Sequence, residues 1–93
     1  MDGSIIRRHL TASRRIVLDI VADTQPVTRD AITRAWVQRQ PEMTSRHRDA
    51  LPRMTEEVLW RLERLAWVEW GGGGYRLTVL GQRARKYGAP TAS

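Results

Sequence analysis

Residues 67–77, with the sequence WVEWGGGGYRL, decide the fold of this chain. Apolar and polar side chains alternate on both sides of four consecutive glycines, which is the pattern of two strands joined by a tight turn. Glycine adopts positive φ without steric cost, so a glycine tip between two such runs predicts a β-hairpin. Because a lone hairpin is only marginally stable in water, we expect this one to pack on helices.

Two helices with clear start signals are predicted in the first half of the chain. The first spans 12–23, with Thr11 as its N-cap and apolar residues at helical spacing. The second runs from residue 29 to about residue 40, with Thr28 as its N-cap, and Pro41 ends it. These two elements are expected to bury their apolar sides against each other.

A third helix is predicted to begin near Pro52, because proline suits the first turn of a helix, and to end near Leu65. The polar stretch 42–50 before it is predicted to be irregular. A last helix should run from an N-cap at Thr78 to about Tyr87. One side of the third helix carries the residues expected to face inward: Leu51, Met54, Thr55, Val58, Leu59, Leu62 and Leu65.

The predicted fold class is α+β and mostly α: a three-helix bundle, a two-stranded hairpin and a C-terminal helix. The chain has 93 residues, which supports one domain. We assign residues 11–87 to that domain, 1–10 to an N-terminal arm and 88–93 to a disordered tail. The residues expected in the core are Ile16, Ile20, Ile32, Trp36, Val58, Leu62, Val68 and Leu77, and also Trp67 and Trp70.

The formal net charge is +6, with fifteen arginines and one lysine. This balance favours a polyanionic partner such as nucleic acid, because basic side chains displace counterions from phosphates. Four arginines enrich the N-terminus and are assigned to a solvated helix face in preference to a DNA-binding arm. They are Arg7, Arg8, Arg14 and Arg15.

The sequence lacks the residues that metal binding, the common catalytic sites, cofactor binding and membrane insertion require. There is no cysteine, and His9 and His47 lie far apart without a HExxH spacing, so no metal site is expected. No Ser-His-Asp or Cys-His set and no glycine-rich cofactor loop is present, so we expect neither catalysis nor a cofactor. No signal peptide and no apolar run of about 20 residues occurs, so we expect a cytoplasmic protein without a membrane partner.

Two segments resemble parts of winged-helix DNA-binding domains. Residues 62–68, LERLAWV, resemble the end of a recognition helix that runs into the first wing strand. Residues 74–81, GYRLTVLG, are similar to the second wing strand and the following helix cap of bacterial or phage winged-helix regulators. MarR-type and PadR-type proteins show this pattern, as does the N-terminal winged helix of Mrr-type restriction proteins.

The resemblance covers residues 11–87 and implies a function. It implies a small prokaryotic transcriptional regulator that binds double-stranded DNA, with helix three in the major groove and the wing on the backbone. Two features depart from the pattern: residues 42–51 exceed the usual tight turn, and Glu56 and Glu57 stand on the exposed side of helix three. The alternative is a winged helix used for protein–protein interaction in a larger complex.

Candidate contacts with DNA come from three places. The outward face of helix three should meet the groove, the residues before it should clamp phosphates, and the wing should approach the backbone. A homodimer through the N-terminal arm or the C-terminal helix is a further candidate assembly. The predicted contact residues are Arg46, Arg48, Arg53, Glu57, Trp60, Arg61, Arg64, Gly72, Gly73 and Arg76.

Trp60 admits three interpretations, because the helical wheel sets it almost opposite the core. It could lie beneath the wing, stack on Arg64 one turn later, or contact a protein or nucleic-acid partner. The alternative for its neighbours, without any role in binding, is a solvated helix face. On such a face i,i+4 ion pairs would join Arg53 to Glu57 and Glu57 to Arg61. Arg76 is expected to point away from the core, between two inward-facing neighbours.

Overall fold

The computed structural model describes residues 9–88, which form four helices and one antiparallel hairpin. The predicted arm up to residue 8 and the predicted tail from residue 89 lie outside the described residues. The α+β, mostly α class is confirmed. The elements are α1 (Ala12–Thr24), α2 (Arg29–Arg39), α3 (Ser45–Arg64), β1 (Val68–Gly71), β2 (Gly74–Leu77) and α4 (Val79–Gly88).

Threonine hydroxyls cap all four of these helices. Each hydroxyl accepts a hydrogen bond from the backbone N–H three residues later, which satisfies one of the free donors of the first turn. The predicted caps Thr11, Thr28 and Thr78 are confirmed, at 3.2, 3.2 and 3.0 Å. Thr44, which we did not predict as a cap, accepts from the His47 N–H at 3.1 Å.

Helix α3 begins at Ser45, so the prediction of a start near Pro52 is wrong, and so is the irregular conformation predicted for 45–50. Pro52 lies inside the helix, where it removes one hydrogen bond, the one to the Arg48 carbonyl. Upstream of it the Thr44 cap and the bond from the Arg48 N–H to the Thr44 carbonyl, at 2.9 Å, start the helix. The helix therefore starts about one and a half to two turns before the proline, at the Thr44 cap.

The core lies between α1, the inner sides of α2 and α3, and the hairpin. Of the seven aliphatic residues and Trp36 that were expected there, six are buried. The other two, Ile16 and Val58, are half-buried against the core. Trp67 is buried, but Trp70 is 59% exposed, so its predicted burial is wrong. Trp70 lies near the hairpin tip, where its ring meets Tyr75 edge-on at 5.0 Å instead of entering the core.

The hairpin turns through Gly72 and Gly73, whose φ angles are +65° and +87°. Positive φ at both central residues is the signature of a two-residue turn that matches the twist of the flanking strands. Pairing places Val68 opposite Leu77 and Trp70 opposite Tyr75. The hairpin predicted from the glycine run is therefore confirmed.

A short bridge that the sequence did not reveal joins the hairpin to the segment between α1 and α2. Val27 and Tyr75 exchange two backbone hydrogen bonds, at 3.1 and 2.8 Å, on the side of β2 away from β1. Nearby, the Gln25 side chain accepts from the Leu77 N–H at 2.9 Å. These bonds hold the hairpin in one position relative to the helices.

Helix α3 ends in a Schellman motif. The Ala66 N–H donates to the Glu63 carbonyl and the Trp67 N–H donates to the Leu62 carbonyl, both at 2.9 Å. The motif places Ala66 in the left-handed region, with φ +60°. A left-handed conformation costs a residue with a Cβ roughly 1–2 kcal/mol, whereas glycine avoids that cost.

Replacing Ala66 by glycine should therefore raise the free energy of unfolding, by about 0.5–1 kcal/mol after the greater freedom of glycine in the unfolded chain is counted. Urea denaturation followed by circular dichroism measures the change. The matched control is Ala50→Gly in the exposed, helical part of α3, which should lower stability by about 1 kcal/mol. Destabilisation by both variants alike would contradict the strain assigned to Ala66.

Candidate nucleic-acid interface

The outward face of α3 carries five of the predicted contact residues. All five are exposed, and they lie on the side of the helix opposite its buried residues Leu51, Thr55, Leu59 and Leu62. The helical period alone places them together. The five residues are Arg53, Glu57, Trp60, Arg61 and Arg64.

The N-terminal end of α3 projects beyond the core. Every residue from 45 to 50 is exposed, and Leu51 is the first buried residue of the helix. At 1.5 Å per residue these six residues span about 9 Å. The projecting end, residues 45–50, carries Arg46, His47 and Arg48 at the positive end of the helix dipole.

Three arginines of residues 9–88 form ion pairs, and the arginines of α3 share their lack of one with Arg14, Arg15, Arg34, Arg76 and Arg83. Arg29, Arg39 and Arg85 form ion pairs with carboxylates. The expected pairs of Glu57 with Arg53 and Arg61 are absent from residues 9–88. Within the same range, no carboxylate lies within ion-pair distance of the α3 arginines, which are Arg46, Arg48, Arg53, Arg61 and Arg64. These guanidinium groups are available for an anionic partner.

The two glutamates that departed from the winged-helix pattern have different surroundings. Glu56 points to the side, where its carboxylate lies 3.5 Å from Nη1 of Arg29 on α2. Its charge is therefore balanced within the fold. Glu57 remains on the outward face among the arginines. Both glutamates line a groove beside α1, and Glu57 is the one without an ion pair in residues 9–88.

Trp60 is 56% exposed, so the hairpin does not bury it and that interpretation is wrong for the described chain. The predicted stacking with Arg64 is confirmed, with its Cζ 5.2 Å from the ring centroid, and the Cζ of Arg61 lies at 5.4 Å. Cation–π contacts of this kind are worth about 0.5–1 kcal/mol at exposed sites. They orient the indole while leaving more than half of it accessible.

A groove of about 770 Å³ runs between the start of α1 and the outward face of α3. Its basic wall combines Arg14 of α1 with Arg53 and Arg61 of α3, and Trp60 lines it as well. Burial, and secondarily the charge of Arg61, lowers the pKa of Arg14. Nη1 of Arg14 donates to the His9 carbonyl at 2.6 Å, which holds the side chain in place.

Arg14 is the site residue that sequence reasoning missed. We assigned it to a solvated helix face, whereas it is half-buried at the groove. The charge of Arg14 was visible in the sequence, but its proximity to Arg61 depends on how α1 crosses α3. No local pattern carries that information.

The hairpin presents the remaining predicted residues. Gly72 and Gly73 are exposed at the tip, and Arg76 is exposed on the face away from Leu77, as expected from the alternation of β2. Nε of Arg76 donates to the Gly71 carbonyl at 3.4 Å, so its side chain folds back over the turn. A guanidinium and the turn's backbone thus lie at the same end of the molecule.

Tyr75 anchors the hairpin to the helices. Burial raises the pKa of Tyr75, and Glu63 raises this pKa further through its charge and by accepting a hydrogen bond from the hydroxyl. The charge of Glu56 acts in the same direction, and Arg29 opposes these effects. The phenol is therefore held in its neutral form.

This raised pKa predicts a loss of stability at alkaline pH. Above about pH 10, the pKa of a free tyrosine, the unfolded chain releases a proton that the folded chain keeps at Tyr75. The free energy of unfolding should therefore fall as pH rises through the folded-state pKa, and Tyr75→Phe should lack this contribution. Urea denaturation of the wild type and of Tyr75→Phe from pH 8 to pH 11 measures both. Parallel curves for the wild type and Tyr75→Phe would contradict the assignment.

Comparison with family models, curated protein sequences and solved structures finds no match to this chain. Within residues 9–88 no group of three histidine, aspartate or glutamate side chains is arranged to hold a metal ion. The helices of that part of the chain are too short or too polar to cross a membrane. Any assignment of function therefore depends on the geometry described above.

Proposed function

We propose that this chain is a winged-helix domain that binds double-stranded DNA and acts as a small transcriptional regulator. The order of three helices, hairpin and helix supports the winged-helix assignment. The bridge between Val27 and Tyr75 supports it further, because it holds the hairpin beside the helices at a fixed position. The hairpin is then the wing, and α3 is the recognition helix.

The projecting N-terminal end of α3 is the observation that carries this proposal. A major groove about 12 Å wide admits one helix, and recognition helices enter it with their N-terminal residues. In this chain that end is exposed over residues 45–50 and carries Arg46, His47 and Arg48. Arg53 follows on the outward face, where it can reach a base edge while Arg46 and Arg48 meet phosphates.

The wing supplies the second contact in this proposal. Gly72 and Gly73 carry no side chains of their own at the exposed tip, and the Arg76 side chain folds over the turn beside Gly72. The guanidinium of Arg76 provides positive charge at the same place. Phosphate contacts fix the orientation of a protein on the duplex without selecting a sequence.

A salt titration tests the proposal. Fluorescence anisotropy with a labelled 20-base-pair duplex should show binding that weakens by about 100-fold between 50 and 200 mM salt if about four phosphates are contacted. Arg76→Ala should flatten the dependence of log Kd on log salt by about one unit. Absence of binding at roughly 50 mM salt and micromolar protein would contradict the proposal.

A second candidate function, protein–protein interaction, is favoured by the two exposed indoles. Trp60 and Trp70 are 56% and 59% exposed, and tryptophan often anchors protein interfaces. Binding through such anchors depends little on salt, unlike binding to phosphates. This candidate becomes the better proposal if the duplex fails to bind at low salt.

A further inference from the structure

Trp60 is not explained by binding to fully paired DNA. In B-form DNA the bases are stacked on one another, so a protein in the major groove meets their edges. The flat face of an indole then has no equivalent surface to cover. Yet the ring is more than half exposed, is oriented by Arg61 and Arg64, and lines a groove of about 770 Å³.

The surroundings of this ring match the chemistry of an unpaired nucleotide. Proteins that hold single strands combine aromatic side chains, on which bases stack, with cations that follow the backbone. Here Arg14, Arg53 and Arg61 line the same groove as Trp60. The volume of this open groove lies within the range of small-molecule sites, which leaves room for a single base and its sugar.

We propose that this groove, lined by Arg14, Arg53, Trp60 and Arg61 and by the carboxylates Glu56 and Glu57, receives one unpaired base of a bound DNA. The inference rests on the proposed binding of DNA. It adds that DNA with an unpaired base binds more tightly than fully paired DNA. The base stacks on Trp60, and the arginines neutralise the phosphates beside it. A base that is already unpaired enters at the lowest cost, because no base pair has to be opened.

Glu57 gives the groove a preference among bases. Glu56 is balanced by Arg29 at 3.5 Å, whereas Glu57 has no ion pair within residues 9–88. A carboxylate accepts hydrogen bonds: cytosine offers it an amino group with two N–H donors, whereas an unpaired thymine offers one N3–H that lies between two repelling oxygens. We therefore expect an unpaired cytosine to bind more tightly than an unpaired thymine.

The test compares three labelled duplexes that differ at one position: fully paired, with one bulged cytosine, and with one bulged thymine. Anisotropy should give a Kd about tenfold lower for the bulged cytosine than for the paired duplex. Trp60→Ala should remove about tenfold in affinity for the bulged DNA and so abolish the ratio between bulged and paired DNA, while Trp60→Phe keeps most of the preference. Glu57→Gln should make the Kd values for the bulged cytosine and the bulged thymine similar.

Trp70→Ala is the matched control, because it removes the second exposed indole, which lies on the hairpin away from this groove. It should leave the preference for the bulge unchanged, and thermal melts should show both alanine variants folded. Equal binding of paired and bulged DNA by the wild type, with salt dependence intact, would overturn this inference and leave the proposed function standing. Binding of bulged or single-stranded DNA without binding of paired DNA would overturn the proposed function and leave the groove for an unpaired base standing. If neither paired nor unpaired DNA binds, the proposed function and this inference are both overturned.

Discussion

Replacing Arg46 and Arg53 together by glutamate should weaken duplex binding by about 100-fold or more at 50 mM salt. Arg46 lies on the projecting end of α3 and Arg53 on its outward face, and neither is paired with a carboxylate in residues 9–88. The double variant removes a phosphate contact and a base contact and places two negative charges against the DNA. Anisotropy titration measures the loss, and a smaller salt dependence should accompany it.

The matched control for this variant separates local contacts from net charge. Arg83→Glu together with Lys86→Glu changes the net charge equally but alters exposed residues of α4, which packs on α1 and β2. This control should weaken binding much less, because the altered charges stand away from α3. If both double variants lose affinity equally, the chain binds DNA through its overall charge, and α3 is not its recognition helix.

Leu62→Ala should lower the free energy of unfolding by about 2–5 kcal/mol, the second of the two largest effects we expect. The Leu62 side chain is fully buried, in the core that holds α3. Truncation removes its apolar contacts and leaves a cavity that the surrounding helices fill only in part. Urea denaturation measures the change.

Two variants calibrate that result. Leu62→Met conserves volume and should cost less than about 1.5 kcal/mol. Leu65→Ala, at the half-buried end of the same helix, should cost less than Leu62→Ala because less area leaves the core. A loss below about 1 kcal/mol for Leu62→Ala would mean that α3 is held mainly by something other than this core.

The candidate site was partly visible in the sequence, because one helical period generates it. Spacing alone grouped Arg53, Glu57, Trp60 and Arg64 on one face and placed that face opposite Leu62. The same reasoning left open whether Trp60 was covered, since the wheel gives a direction but not what lies in that direction. The exposure of Trp60 and its contacts with Arg61 and Arg64 come from the packed structure.

Local signals therefore determined the order of the elements, three of the four threonine caps and the hairpin. Each depends on residues a few positions apart, which is the range over which hydrogen bonds of caps and turns act. The turn was predicted over residues 71–74, whereas Gly71 and Gly74 belong to the strands and only Gly72 and Gly73 form the turn. The upstream start of α3 is a local feature too, but two local preferences competed there. The helix starts at the Thr44 cap and continues through Pro52 with one hydrogen bond missing.

Only the tertiary structure decided which distant residues meet. The bridge from Val27 to Tyr75, the groove that joins Arg14 to Arg61, and the exposure of Trp70 all depend on how elements far apart in the chain cross one another. Such crossings are set by the packing of whole faces, since the core must be filled without voids. The sequence by itself determined which face of α3 carries the charge, and the packing determined that this face borders a groove and that its first two turns project beyond the core.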